Sequence, residues 1–145
     1  MPFLTFPIGA EGALVNIFVA LSTPRVDALK AAGLGFPPPE KAKALIDTGA
    51  SISSISPRIA KGLALVPSGV TPIHSATTGG TSQNCNLYDV CLAFVQPSIK
   101  VLGVNIPVIE VDLFSPGIDV LLGRDMLGQC LCIYDGQSST FVLAF

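Results

Sequence analysis

The chain has 145 residues, half of them apolar and only 12% charged, with a formal net charge of −2. That length points to a single domain, 1–145, and the charge content lies well below the roughly 25% of an average soluble domain, so apolar surface should remain for a partner to cover. No Lys/Arg run offers a footprint for nucleic acid. The apolar start, residues 1–20, is broken by Pro2, Pro7, Gly9, Glu11 and Asn16 and reads neither as a signal peptide nor as a membrane span. With no Asn-x-Ser/Thr sequon either, a cytoplasmic setting without membrane contact is the expectation.

Along the chain, short β-branched and aliphatic runs alternate with Gly, Pro, Asn and Ser clusters, the punctuation of an all-β protein. Strands are expected at residues 3–8, 13–21, 44–47, 70–76, 86–95, 99–102, 106–111, 120–122, 130–134 and 140–144, a density that suits a closed, barrel-like core. Three short helices are expected among them. Thr23-Pro24, residues 25–32 and a Gly33 stop make the first; Ser56-Pro57 opens the second, through Lys61 to Gly62; residues 124–128 make the third. Residues 33–39 are too rich in breakers for regular structure, and 23–43 as a whole reads as an insertion made of that first helix and an exposed loop. There is no internal repeat.

Cys130 and Cys132, two apart in an apolar run, would share one face of a strand, and Cys85 and Cys91 flank Tyr88. The spacing and the single, isolated His74 do not suit a metal site, so the cysteines read as small core residues and no metal or other cofactor is called for.

Chemistry concentrates in Ala44-Leu45-Ile46-Asp47-Thr48-Gly49-Ala50-Ser51. An apolar strand runs directly into a carboxylate, whose burial is costly unless donors surround it. Gly49 lets the backbone come close enough for main-chain N–H groups to face that carboxylate, and Thr48 places a hydroxyl beside it. Asp-Thr-Gly alone is ordinary turn chemistry. It gains meaning from a second segment, Ile118-Asp119-Val120-Leu121-Leu122-Gly123-Arg124-Asp125-Met126-Leu127: a strand, a glycine, a charged pair and a short helix.

Together the two segments resemble the retropepsin family of aspartic proteases, which carries an apolar pair before Asp-Thr-Gly-Ala and a second apolar pair before Gly-Arg-Asp/Asn. Here the motifs stand in that order, about 75 residues apart. Between them Ala76-Thr77-Thr78-Gly79-Gly80-Thr81 occupies the place of the family's flap hairpin. The Ala50-Ser51 ending is similar to cellular, often bacterial, members, whereas retroviral members commonly carry a second Asp where Ser51 stands.

The resemblance implies a retropepsin fold, with Asp47 as the catalytic carboxylate. It casts Thr48 as the grip on the partner's equivalent loop, Gly49, Ala50 and Ser51 as the frame of the active-site turn, and Arg124 as a buried base bracing that loop, with Asp125 beside it. Thr78, Gly79 and Gly80 become the flap over the substrate, and residues 140–145 the strand that pairs between protomers. Aspartic proteolysis needs two carboxylates sharing one proton around a water. With one Asp-Thr-Gly per chain, and Asp112, Asp119 and Asp125 outside any such context, the expectation is a homodimeric endopeptidase acting on an extended peptide or protein substrate. The alternative is a dimeric module of the same fold that grips peptides without cutting them; its signature would be a lost Asp or a filled-in Gly, and Asp47 and Gly49 are both intact. An accidental Asp-Thr-Gly in an unrelated barrel is the third reading.

Overall fold

Alternation organises the two longest strands, along the whole of one, with Ala13, Val15, Ile17, Val19 and Leu21 on its inner face, and over the second half of the other, with Tyr88, Val90, Leu92 and Phe94 on its inner face. A period of two turns one face of each strand toward a shared interior. The computed structural model describes residues 2–74, 79–94, 103–112 and 116–145. Its strands are β1 (Phe3–Gly9), β2 (Gly12–Leu21), β3 (Glu40–Ile46), β4 (Ser54–Ile55), β5 (Gly69–Ile73), β6 (Gln83–Phe94), β7 (Gly103–Glu110), β8 (Val120–Leu122), β9 (Leu131–Asp135) and β10 (Thr140–Ala144). Its helices are α1 (Thr23–Ala31), α2 (Pro57–Gly62) and α3 (Arg124–Leu127).

Six strands close a barrel in the order β2-β3-β8-β4-β7-β6, with β6 returning to β2. Most neighbours are antiparallel, but β3 runs parallel to β8, pairing Ala44 with Val120 and Ile46 with Leu122, and β4 runs parallel to β7. The side chains of Val19, Ala44, Ile55, Ile59, Val90, Leu92, Val108, Val120 and Leu122 fill the interior. Each large aliphatic buried there contributes about 1.5–3 kcal/mol. Truncating Leu122 to Ala would cost roughly 2–5 kcal/mol and leave a cavity under the site described below.

Outside the barrel, β10 pairs with β1 on one side (Phe3↔Ala144 to Pro7↔Thr140) and with β9 on the other (Ala144↔Leu131 to Thr140↔Asp135). The resemblance implies that the C-terminal strand pairs between protomers; here both of its edges are already taken within the chain. The rings of Phe6 and Phe141 stack at 5.0 Å across this sheet, and Phe94 on Phe145 at 5.4 Å ties it to the barrel.

The all-β, closed-barrel fold and the short C-terminal helix α3 agree with the sequence reading. Differences are local. Residues 40–43, assigned above to the 23–43 insertion, belong to β3: Lys41 and Lys43 face solvent while Ala42 and Ala44 face the core, a period of two hidden by low-propensity residues. The insertion is therefore α1 and the loop 32–39. α1 has no fully buried residue; Val26 and Leu29 pack partly on the core, and Gly33 ends it at φ +69°. The two-residue β4 has no counterpart in the sequence reading, and the expected strand at 99–102 lies outside the described residues. Cys130 precedes β9 instead of sharing it with Cys132.

Candidate active site

β3 delivers Asp47 to the point where β8 ends beside it. The Asp47 N–H donates to the Leu122 carbonyl at 2.9 Å, extending the parallel ladder by one bond. The chain then turns back: Gly49 N–H donates to Asp47 Oδ1 at 3.0 Å, and Ala50 N–H to the Asp47 carbonyl at 3.2 Å. Asp47 is half-buried, and one oxygen of its carboxylate is held by a main-chain donor. A Cβ on Gly49 would lie 3.2 Å from Oδ1, so glycine serves here by leaving space beside the carboxylate.

From the opposite side, Arg124 closes the loop twice. Its main-chain N–H donates to the Ala50 carbonyl at 2.9 Å. Its guanidinium donates from one Nη to the carbonyls of Thr48 at 2.9 Å and Gly49 at 3.1 Å. Arg124 thus contacts the Asp47 loop, but it is exposed in the chain and not buried as the resemblance implies, because it lies over the loop's outer surface. It needs no acidic partner at position 51: the two carbonyls take that role, and Ser51 is exposed. Thr48 is also exposed, and its hydroxyl finds no hydrogen-bond partner among the described residues.

Asp125 and Arg124 do not pair with each other. Asp125 faces inward: Oδ2 accepts from Ser53 N–H at 2.8 Å, and Oδ1 accepts from the Ser53 hydroxyl at 2.7 Å and from Met126 N–H at 2.8 Å. Ser53 Oγ in turn accepts the Gly123 N–H at 2.9 Å. Ser53 was not singled out from the sequence. The cue available was a serine-rich run, Ser51 to Ser56, in which Ser53, Ser54 and Ser56 are all buried; its partner lies 72 positions away.

Gly79 (φ +59°) and Gly80 (φ +87°) form a turn in the connection between β5 and β6, whose last pair is Ile73↔Gln83. Positive φ at both positions favours glycine. The connection is longer than the two-residue turn of a minimal hairpin, and Thr78 lies outside the described residues.

On the barrel flank, away from Asp47, Arg58 makes a bidentate pair with Asp119 at 2.9 and 2.8 Å and reaches Glu40 at 3.5 Å. The Arg58 hydrogen bond, helped by Ser56, holds the Asp119 carboxyl below its ordinary range. Buried Tyr88 donates to Glu110 at 2.9 Å, and burial together with that carboxylate pushes its phenol up. All four cysteines are free thiols raised by burial. Among the described residues no His/Cys/Asp/Glu group of three or more could hold a metal ion, and no helix is long and apolar enough to cross a membrane. A cavity of about 390 Å³ lies under α1 and the loop after it, lined by Leu21, Arg25, Leu29, Leu63, Val66 and Asp89, none of them a residue of the Asp47 loop.

The sequence profile of the family described as "gag-polyprotein putative aspartyl protease" matches residues 39–129, well over half of the chain and both segments of the site. The chain belongs to that aspartyl protease family. No curated protein matches it by sequence. Among solved structures, a retropepsin-like aspartic protease from Rickettsia conorii superposes with a TM-score of 0.60 at 17% identity, over 98% of this chain and 90% of that one. An aspartic proteinase from Irpex lacteus superposes with a TM-score of 0.55 at 13% identity, over 99% of this chain and 47% of that one. At such identities these neighbours show the retropepsin-like fold, and this chain spans about half the length of the fungal proteinase.

Proposed function

We propose that the chain is the protomer of a homodimeric aspartic endopeptidase in which two Asp47 carboxylates, one per chain, activate a water for attack on a peptide bond. The observation that carries this reading is the setting of Asp47: a half-buried carboxylate at the end of a rigid parallel strand pair, held by the Gly49 N–H and without a cationic partner among the described residues. Two such groups around a two-fold axis cannot both ionise at hydrogen-bond distance, so they share a proton. The ionised one takes a proton from the water as it attacks, and the protonated one hydrogen-bonds the carbonyl oxygen of the scissile bond. The exposed Thr48, next in the chain to Asp47, would meet the partner's loop in such a dimer. The Gly79-Gly80 turn acts as the flap that covers an extended peptide.

One chain holds half of this machinery. The fungal proteinase carries the same fold over 47% of its chain, which leaves length for a second copy in one polypeptide; the 145 residues here hold one copy, and in this reading the second arrives by association. The surface that fits is the β1–β10–β9 sheet. Among the described residues nothing pairs with the outer edge of β9, and Phe3, Leu131 and Ile133, on one face of that sheet, are about half exposed or more (63%, 54% and 49%). A second copy adding its β9 edge would pair those backbone groups and cover the apolar face.

The test is Asp47→Asn, an isosteric change that removes the base. Cleavage of a casein-like substrate by the native chain, blocked by pepstatin and absent in the variant at unchanged fold and dimerisation, is the expected result. Substantial cleavage by Asp47→Asn would assign the chemistry elsewhere; pepstatin-independent peptide binding without cleavage would favour a non-proteolytic peptide-binding module.

A further inference from the structure

Three consecutive residues at the end of β8 each hold the loop that carries Asp47. The Leu122 carbonyl accepts from Asp47 N–H, the Gly123 N–H donates to Ser53 Oγ, and the Arg124 N–H donates to the Ala50 carbonyl, every one at 2.9 Å. The first and last rungs are backbone to backbone and survive any side-chain change. The middle rung alone depends on a side chain, and that side chain has no access to solvent. Its hydroxyl uses both of its capacities, accepting from Gly123 and donating to Asp125 Oδ1 at 2.7 Å, while its own N–H donates to Asp125 Oδ2 at 2.8 Å.

We infer that Ser53 is a positioning residue of the Asp47 loop: its hydroxyl, anchored by Asp125, sets the distance between the loop and the Gly123 segment and thereby the placement of Asp47. The inference rests on the protease reading above for its kinetic consequences, but the geometry stands without it. A fully buried hydroxyl is stable only with its bonds made, and a buried N–H left without an acceptor seeks another partner. If Ser53 lost its oxygen, Gly123 N–H would be that orphan. The backbone on either side of it carries the two remaining rungs, so any adjustment is transmitted to Asp47 N–H and Ala50 O. Misplacing a reacting group by about 1 Å costs on the order of a hundredfold in rate. Under the protease reading the flap contributes to holding the peptide from the other side, so KM should move less than kcat.

The experiment compares Ser53→Ala, Ser53→Thr and Ser53→Cys in the 145-residue chain, by steady-state kinetics and by amide hydrogen exchange. Ser53→Ala should lower kcat about tenfold or more with KM within about twofold, and should speed exchange at Gly123 and Gly49 while amides of β2 and β6 keep their protection. Ser53→Thr, which keeps the hydroxyl, should restore most of kcat and the local protection. Should Ser53→Ala fail to fold, Ser53→Cys, of similar size but a weak donor, takes its place with the same expected pattern. Unchanged kcat in the folded variant, or Ser53→Thr no better than Ser53→Ala at equal stability, would overturn the inference; so would loss of protection spread evenly through the barrel. The two readings fail separately. A native chain that cleaves nothing removes the protease, whereas unchanged Gly49 and Gly123 exchange in Ser53→Ala removes the positioning role.

Discussion

A Cβ on Gly123 would stand 2.8 Å from the carbonyl carbon of Ile52 and 3.0 Å from its oxygen, with the Ala50 carbonyl a further contact at 3.1 Å. All three are backbone atoms, so no rotamer change can relieve the clash. The glycine between the apolar pair and Arg124 is demanded by close approach of two chain segments, those that bring Asp47 and Arg124 together.

Gly123→Ala should therefore push the Ala50–Ile52 backbone off the end of β8. Overpacking of this kind costs about 1–3 kcal/mol, and thermal unfolding should report a loss of that size. Activity should fall further than stability explains, because the displaced segment is the Asp47 loop. A variant with native stability and native kcat would mean that the two segments are free to part.

The Arg58–Asp119 pair makes a prediction about pH. Asp119 titrates below its ordinary value of 3.8 because Arg58 hydrogen-bonds its ionised form. A depressed folded value means that the pair stabilises the fold above the unfolded value and that this contribution is lost as pH falls through the folded one. Arg58 is more than half exposed, which limits the pair to about 1 kcal/mol after solvent screening. Arg58→Ala should lower Tm by roughly 2–4 °C at pH 7, measured at fixed chain concentration, and by progressively less below pH 3.8. A deficit that is the same at pH 7 and well below pH 3.8 would show that packing, not charge, is what Arg58 supplies.

The glycine turn gives a third. Gly79 and Gly80 both sit at positive φ with nothing within 4 Å of a notional Cβ, so a substitution there is limited by backbone strain and not by space. Gly79→Val or Gly80→Val should cut turnover sharply while Tm moves little, because an exposed turn holds few core contacts. Equal losses of activity and stability would make it a structural turn.

Much of this was legible in the sequence, for physical reasons that differ from place to place. β2 and β6 announce themselves as apolar runs set between Gly, Pro, Asn and Ser clusters, and α1 and α2 through a proline at the first helical turn and a glycine near the end. The Asp47 and Gly123-Arg124 segments stand out because each combines a buried strand with residue types that such strands rarely tolerate. The start of β3 was hidden because Glu40, Lys41 and Lys43 have poor strand propensity, although they occupy its solvent face and edge. Ser53 was invisible for a deeper reason: its role depends on Asp125, and no local pattern encodes a contact across 72 positions. Pairing of β10 with both β1 and β9 is likewise a tertiary outcome; the apolar terminal segments suggested strands but not which edges remain open.

The central claim, one carboxylate per chain and two per site, is tested most directly by the dependence of activity on association. Far below the dimer dissociation constant the rate should rise with the square of chain concentration and become linear above it. Mixing in a roughly tenfold excess of Asp47→Asn chains should lower the activity per native chain about tenfold, since random pairing puts most native chains into dimers with one competent carboxylate. Specific activity that stays constant on dilution into a chain shown to be monomeric, or that is untouched by the excess variant, would contradict the two-carboxylate mechanism.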